Sequence, residues 1–200
     1  MVALLYHGAT HVEGVEIDAA RVAEGQESLR ALGLEQVSNL QHTPDTANLP
    51  FENESFDFVL SNAVFEHIPQ PRTPYLEEVW RVLRPGGYVM LNETPNKYFP
   101  KEKHTTGLWC NHWLPREMAL QRALRNGRYS EPIEHWPSSG WRGVGYYEIV
   151  KGFPGAMLIP EETRMRHRLL SAVGIPASIL DPYPTWVFQK PTPISKGLTL

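Results

Sequence analysis

The stretch LPFENESFDFVLSNAVFEHI (residues 49–68), followed by EEVWRVLRPGG (residues 77–87), decides the fold. Residues 56–60 form a short apolar run of strand length, with polar residues at its carboxyl end. Apolar residues between positions 76 and 83 recur at helical spacing and predict one apolar helix face. The Pro-Gly-Gly segment ends that helix, because proline cannot continue it and glycine tolerates a left-handed turn. Another apolar run begins at Tyr88, so the stretch predicts a parallel strand–helix–strand unit.

Helical and strand-like segments also alternate before this unit. A helix ends at Gly8, and a strand-like run at residues 12–17 precedes a helix that Asp18 can cap. A weak strand follows at residues 37–43. This alternation predicts an α/β protein with a doubly wound sheet. Further along the chain the sequence predicts helices at residues 115–126 and 161–173, and a strand at 184–189.

Composition narrows the class of protein. The 200 residues are 42% hydrophobic and 20% charged, which is typical of one globular domain with its own core. A net charge of -3 favours neither nucleic acid nor an anionic membrane. The one cysteine, Cys110, excludes an intrachain disulfide and favours a reducing compartment. We therefore expect a single cytoplasmic domain over residues 1–200, with no nucleic-acid partner and no membrane insertion. Composition does not predict the oligomeric state.

The string LPF…SFD.V.S…EH…L.E..R.L.PGG resembles the class I S-adenosylmethionine-dependent methyltransferases, in the branch labelled methyltransferase type 11. Strand, helix and Pro-Gly-Gly segment occur in the family's order and at its spacing, and the resemblance runs from the N-terminus to about Pro115. It implies a Rossmann-like sheet with S-adenosyl-L-methionine as cofactor. It also implies transfer of the sulfonium methyl group to an oxygen, nitrogen or carbon of a small molecule.

One family feature is missing at the start of the chain. In the family, a Gly-x-Gly-x-Gly loop precedes the helix that MVALLYHGAT (residues 1–10) resembles, and this chain begins inside that helix. Gly143-Val144-Gly145 lies far downstream, where we predict no following helix. We expect an N-terminally truncated copy that lacks the first strand and the Gly-rich loop. The alternative is that Met1 is a genuine start and the protein does without the loop.

The resemblance implies nucleoside contacts at two predicted strand ends. Glu16 would accept hydrogen bonds from both ribose hydroxyls, and Ile17 would pack against the adenine. Asp45 would accept from the adenine amine, while the backbone amide of Thr46 faces a ring nitrogen. From the residues alone, Glu16 could equally be a solvated charge, and Asp45 could be an Asx-turn residue after Pro44.

Further candidates follow the central strand. Ser61 and Asn62 end it, where α/β sheets place their ligands, and should border the sulfonium and the incoming nucleophile. Because the methyl group is already activated, the protein must chiefly position the nucleophile and exclude water. A hydroxyl acceptor also needs a base. The candidates are His67 and His104, although a structural hydrogen bond is an open alternative for His67.

The segment NETPNKYFPKEKHTTGLWCNHWLP (residues 92–115) is long, aperiodic and aromatic, as functional loops often are. Polar groups of Thr94, Asn96, His104 and His112 could face an acceptor there. Alternatively, its aromatic residues cover a sheet edge. We interpret residues 95–160 as an acceptor-side loop and cap insertion, whose later aromatic residues either select the acceptor or form a satellite core.

The same segment carries potential metal ligands. His104, Cys110 and His112 lie within nine positions, and three such side chains could bind zinc. The chain has no paired Cys-x-x-Cys or His-x-x-x-His spacing here, and we expect no metal at this set.

Other functions remain open. The chain could be a non-catalytic fragment or pseudoenzyme that acts as a binding partner, and affinity for the cofactor would distinguish this alternative from an enzyme. A dehydrogenase is a third option, but it needs the same missing glycine turn.

Overall fold

The computed structural model describes residues 1–159 and 181–193, which fall into two structural units, Met1–Phe51 and Glu52–Leu200. The helix predicted at residues 161–173 lies outside the described residues. Among the helices within them, none combines the length and the apolar composition needed to cross a bilayer.

The first unit is built around two parallel strands. Strands β1 and β2 pair in register from Val12 opposite Ser38 to Glu16 opposite His42. The predicted cap is confirmed, because the Asp18 carboxylate accepts from the backbone amides of Ala20 (2.8 Å) and Arg21 (3.4 Å). The elements are α1 (Val2–Tyr6), β1 (Val12–Glu16), α2 (Ala19–Ala31) and β2 (Ser38–His42).

Replacing Asp18 with alanine is expected to lower the free energy of unfolding by about 1 kcal/mol, because two amides at the start of α2 lose their acceptor. Urea denaturation followed by circular dichroism measures the change. Asp18→Asn is the matched control, since it keeps an acceptor oxygen and should retain most of the stability. An equal loss in both variants would contradict the capping role.

The second unit holds a mixed sheet in the order β3-β4-β6-β5. Strands β3 and β4 are parallel, as predicted, and β6 pairs antiparallel with both β4 and β5. Its elements are β3 (Phe56–Asn62), α3 (Thr73–Val82), β4 (Leu83–Asn92), α4 (Arg116–Arg125), α5 (Tyr146–Gly152), β5 (Met157–Leu158) and β6 (Trp186–Gln189). The α/β fold class is therefore confirmed.

Some element boundaries differ from the predictions. Helix α3 begins at Thr73, before the first apolar residue of the predicted helix face. Strand β4 begins at Leu83, and the Pro-Gly-Gly segment forms a bulge, since Leu83 pairs with Phe56 while Tyr88 pairs with Phe58. Our expectation that no helix follows Gly145 was wrong, because α5 starts at the next residue. A helix of two turns is too short to give a clear periodic pattern.

Two apolar clusters hold the second unit together. In the larger one, α3 and α5 pack on the sheet, with Trp80 stacked on Phe153 at 4.9 Å between ring centroids. The smaller cluster lies against α4, where Trp136 stacks on Trp141 at 4.8 Å. Both clusters contain aromatic residues from 128–160. Trp136 and Trp141 are buried in the smaller cluster, which favours the satellite-core interpretation for these two residues.

Candidate functional site

The carboxyl ends of β1 and β2 carry the two carboxylates predicted to contact a nucleoside. The backbone amide of Thr43 donates to the carbonyl oxygen of Glu16 (2.8 Å), so the chain leaving β2 starts beside Glu16. Asp45 follows two residues later, at the same edge of this two-stranded sheet. Ile17 is 63% exposed and offers an apolar surface beside Glu16.

Glu16 uses only one carboxylate oxygen within the first unit. Its Oε1 accepts from the backbone amides of Ile17 (2.7 Å) and Asp18 (3.0 Å). Oε2 has no hydrogen bond within the described part of the chain. An ionised carboxylate can accept two donors per oxygen, so Oε2 is available to a pair of hydroxyls.

Asp45 is more fully engaged. Its Oδ1 accepts from the amide of Ala47 (3.0 Å) and its Oδ2 from the side-chain amide of Asn48 (2.6 Å). This is the Asx-type turn that the sequence left open. A contact from Asp45 to an adenine amine therefore needs a remaining lone pair or displacement of Asn48. The half-buried Thr46 lies inside this turn.

In the second unit, the ends of β3 and β4 carry a polar network. Asn62 lies opposite Asn92, whose Nδ2 donates to Asn62 Oδ1 (2.7 Å). Asn62 Nδ2 in turn donates to a Glu93 oxygen (3.4 Å). Ser61 is buried, and its hydroxyl has no hydrogen-bond partner among the described residues. Sequence reasoning missed Asn92 and Glu93, although both follow an apolar run directly.

The residues that follow this strand pair are both left-handed. Ala63 has φ 51° and Glu93 has φ 52°. Left-handed backbone costs a non-glycine residue roughly 1–2 kcal/mol and clusters at functional sites. Two such residues, each directly after one member of the Asn62–Asn92 pair, mark this strand end as a candidate ligand site.

The structure brings His67 and His104 together. Their ring centroids are 5.2 Å apart in an edge-to-face arrangement. His67 Nδ1 lies 2.8 Å from the carbonyl oxygen of Ser138, which can only accept, so Nδ1 carries the proton and donates it. In the neutral ring the free lone pair is then on Nε2. Burial, and to a smaller extent His67, lowers the pKa of His104 and favours its neutral form.

Glu102 holds the loop that presents His104. One oxygen accepts from the backbone amides of His104 (2.6 Å) and Thr105 (2.7 Å). The other accepts from the amide and the hydroxyl of Thr106. Glu102 is 6% exposed, so this network is shielded from water. Glu102 lies two to four residues before these donors, as in a local turn. Composition alone does not predict this network.

An open cleft of about 840 Å³ lies beside His104. Its walls come from three chain segments and are mainly polar. The lining residues are His104, Thr105, Thr106, Gly107, Gly127, Arg128, Tyr129, Ser130, Glu131, His135, Ser138 and Ser139.

Three other candidates from residues 92–115 are buried. Thr94, Asn96 and His112 are at most 5% exposed. Asn96 is structural, since its Nδ2 donates to the carbonyl oxygen of Asp181 (2.9 Å) and its Oδ1 accepts from the amide of Tyr98 (3.0 Å). Burial lowers the pKa of His112 and keeps it neutral. These side chains are enclosed by protein and do not line the cleft.

Comparison with known proteins gives a family match and a fold match. A family model described as "Methyltransferase domain" matches residues 1–91. A demethylmenaquinone methyltransferase of Bacillus cytotoxicus is 39% identical over 83 residues, covering 42% of this chain and 34% of that protein. An uncharacterized Haemophilus influenzae protein is 33% identical over 84 residues, covering 42% and 33%. The chain thus spans about a third of the length of these curated relatives.

Among solved structures, the geranyl diphosphate C-methyltransferase of Streptomyces coelicolor A3(2) superposes with a TM-score of 0.57 at 14% identity, covering 95% of this chain and 66% of that one. A SAM-dependent methyltransferase of Methanosarcina mazei gives 0.53 at 18% identity, covering 96% and 87%. At such identities the similarity establishes the fold.

Proposed function

We propose that the chain is a class I S-adenosylmethionine-dependent methyltransferase that transfers a methyl group from S-adenosyl-L-methionine to a small-molecule acceptor. The match of residues 1–91 to a methyltransferase domain supports this proposal. We further propose a cytoplasmic location, which the single cysteine, Cys110, supports. The net charge of -3 supports the absence of a nucleic-acid partner.

The placement of Glu16 and Asp45 at one sheet edge carries this proposal. Glu16 Oε2 is the proposed acceptor for the ribose hydroxyls, and exposed Ile17 is the proposed packing surface for adenine. Asp45 and the backbone amide of Thr46 are the proposed contacts to the base edge. Carboxyl ends of strands are where α/β folds bind nucleotides, which supports this assignment.

Ser61 and Asn62 are the proposed contacts near the transferring methyl group. Their position at the end of β3 and the two left-handed residues beside them support the assignment. Bound S-adenosyl-L-methionine supplies an activated methyl group, so the protein's task is to align the acceptor and exclude water.

His67 and His104 are the proposed acceptor-side residues. His104 borders the cleft, and His67 directs Nε2 away from its Ser138 contact. Either imidazole can orient an acceptor hydroxyl or activate it. The Ser, Thr, Arg and Glu lining of the cleft favours an acceptor that carries several polar groups. We propose that residues 95–160, which contain all the lining residues of this cleft, are the acceptor-side insertion.

Cofactor titration tests the function. We expect saturable binding of S-adenosyl-L-homocysteine by isothermal titration calorimetry, and Glu16→Gln should weaken it about tenfold. Glutamine keeps an oxygen for the amides of Ile17 and Asp18 but loses the charge that strengthens bonds to ribose hydroxyls by about 1–1.5 kcal/mol.

Glu27→Gln is the matched control for this titration, because Glu27 is exposed on α2 and its replacement changes the net charge equally. It should leave the affinity unchanged. A protein that binds cofactor but methylates nothing in a broad acceptor screen would favour the binding-partner alternative. Failure of the wild-type protein to bind cofactor at millimolar concentration would refute the proposal.

A further inference from the structure

Glu66, His67 and His104 form a cluster of three potential metal ligands in the second unit. One atom from each side chain, a carboxylate oxygen or an imidazole nitrogen, lies within 4.8 Å of the other two. His67 Nε2 is 3.9 Å from Glu66 Oε1. The Glu66 oxygens form no hydrogen bond with either imidazole in the described part of the chain.

The carboxylate of Glu66 gives an independent reason to expect a ligand. Its side chain is fully buried, and neither oxygen has a hydrogen-bond partner among the described residues. The nearby hydroxyl of Thr94 donates to the carbonyl oxygen of Asn92 (3.4 Å), and Arg72 donates to the backbone oxygen of Glu66 (3.3 Å). Burial raises the pKa of this carboxyl, while His67 and Arg72 oppose that effect. A buried carboxylate without donors is costly unless it is protonated or a cation neutralises it.

Hydrogen bonds hold the imidazole of His67 and the backbone of His104. The carbonyl oxygen of Ser138 accepts from His67 Nδ1, which leaves the Nε2 lone pair directed at the cluster. This second contact is the usual support of a metal-bound histidine. Glu102 fixes the backbone of His104.

Gly140 fits the same arrangement. A Cβ atom at this position would lie 2.7 Å from His104 Nε2 and 3.2 Å from Glu66 Cγ, and the residue has φ +77°. Only glycine therefore lets both side chains occupy their places without displacement.

We propose that Glu66, His67 and His104 bind a Zn²⁺ ion. Two imidazoles and one carboxylate are a ligand set of zinc sites with an open fourth position. Two nitrogen ligands disfavour Mg²⁺ and Ca²⁺, which prefer oxygen. The same set also suits Fe²⁺, but such sites generally bind Zn²⁺ more tightly. This set differs from His104, Cys110 and His112, because it replaces Cys110 and His112 with Glu66 and His67.

The site goes beyond methyl transfer, since metal binding requires neither cofactor nor acceptor. Zinc binding would also change the role of the Nε2 atom of His67. A metal ion on Nε2 of His67 takes the lone pair that a proton-accepting base would need, so His67 would act on an acceptor through the ion.

Metal titration tests the proposal. The purified full chain is treated with a chelator, dialysed, and titrated with ZnCl₂ against a chromophoric zinc indicator. We expect one equivalent bound with micromolar or tighter affinity, and MgCl₂ at the same concentration should not compete. His104→Ala and Glu66→Gln should each weaken zinc binding by about 100-fold or more, because each removes a ligand.

Two further measurements keep the test decisive. Circular dichroism and thermal unfolding of each variant without metal show whether it is folded, and half-buried His104 supplies a variant less disruptive than one at Glu66. His7→Ala, an exposed histidine outside the cluster, should bind zinc like the wild type. Binding of less than half an equivalent, equal affinity in folded His104→Ala, or preference for Mg²⁺ would each overturn the assignment.

Discussion

Arg72→Met is expected to lower the free energy of unfolding by about 3–5 kcal/mol, because it removes one partner of a buried charge network. Arg72 is 3% exposed. Its guanidinium donates to the carbonyl oxygens of Ile68 (2.8 Å), Gly143 (3.1 Å) and Glu66 (3.3 Å). It also pairs with Glu148 at 3.3 Å. Methionine fills similar space but leaves these acceptors and the Glu148 charge without a donor.

Two opposing effects act on the pKa of Arg72. Burial lowers it, and the opposing effect of Glu148 keeps the group charged. Guanidinium chloride denaturation of wild type and variant measures the loss. Arg84→Met is the control, because that guanidinium is 58% exposed and pairs with Asp57 in solvent, where an ion pair contributes at most about 1 kcal/mol. Similar losses of unfolding free energy from both substitutions would show that the contribution of Arg72 to stability does not depend on its burial.

Glu102→Gln should destabilise the second unit by about 3 kcal/mol, the loss of two charge-assisted hydrogen bonds. The amide nitrogen of glutamine would face the amide and hydroxyl of Thr106 in place of an acceptor oxygen. The backbone amide of Thr106 would then have no acceptor, and its hydroxyl would have to rotate to accept from the glutamine amide. The loop that presents His104 should therefore lose order. Hydrogen exchange at the amide of Thr106 should accelerate together with the drop in stability.

The control for Glu102 is Glu117→Gln, since Glu117 is exposed on α4 and its loss changes the net charge equally. It should alter stability by no more than about 0.5 kcal/mol. If Glu102→Gln left both the unfolding midpoint and the exchange rate at Thr106 unchanged, the network would not order this loop.

Local sequence patterns predicted those elements of the fold that depend on neighbouring residues. The strand–helix–strand unit and the Asp18 cap depend on residues close in sequence, and the structure agrees with both. The family resemblance implied that Glu16 and Asp45 follow neighbouring strand ends, and β1 and β2 are parallel strands. The hydrogen bonds of the Asp45 carboxylate could not be predicted, because aspartate is compatible with both a turn and ligand binding.

Long-range placement was not predictable. His67 and His104 meet because the segment after β4 folds back, and this depends on the hydrogen bonds of Glu102. Burial of Thr94 and Asn96 likewise depends on packing between distant segments, such as the contact of Asn96 with Asp181. Glu66 gave no sequence signal of its own, since a glutamate next to a histidine is common on surfaces.

Gly87 of the Pro-Gly-Gly bulge limits which residues can occupy this part of β4 beside β3. A Cβ atom on Gly87 would meet the carbonyl oxygens of Asp57 and Arg84 at 2.8 and 2.9 Å, so any other residue would force β3 and β4 apart. This segment is thus constrained by backbone contact between the two strands, and none of its residues lines the cleft beside His104.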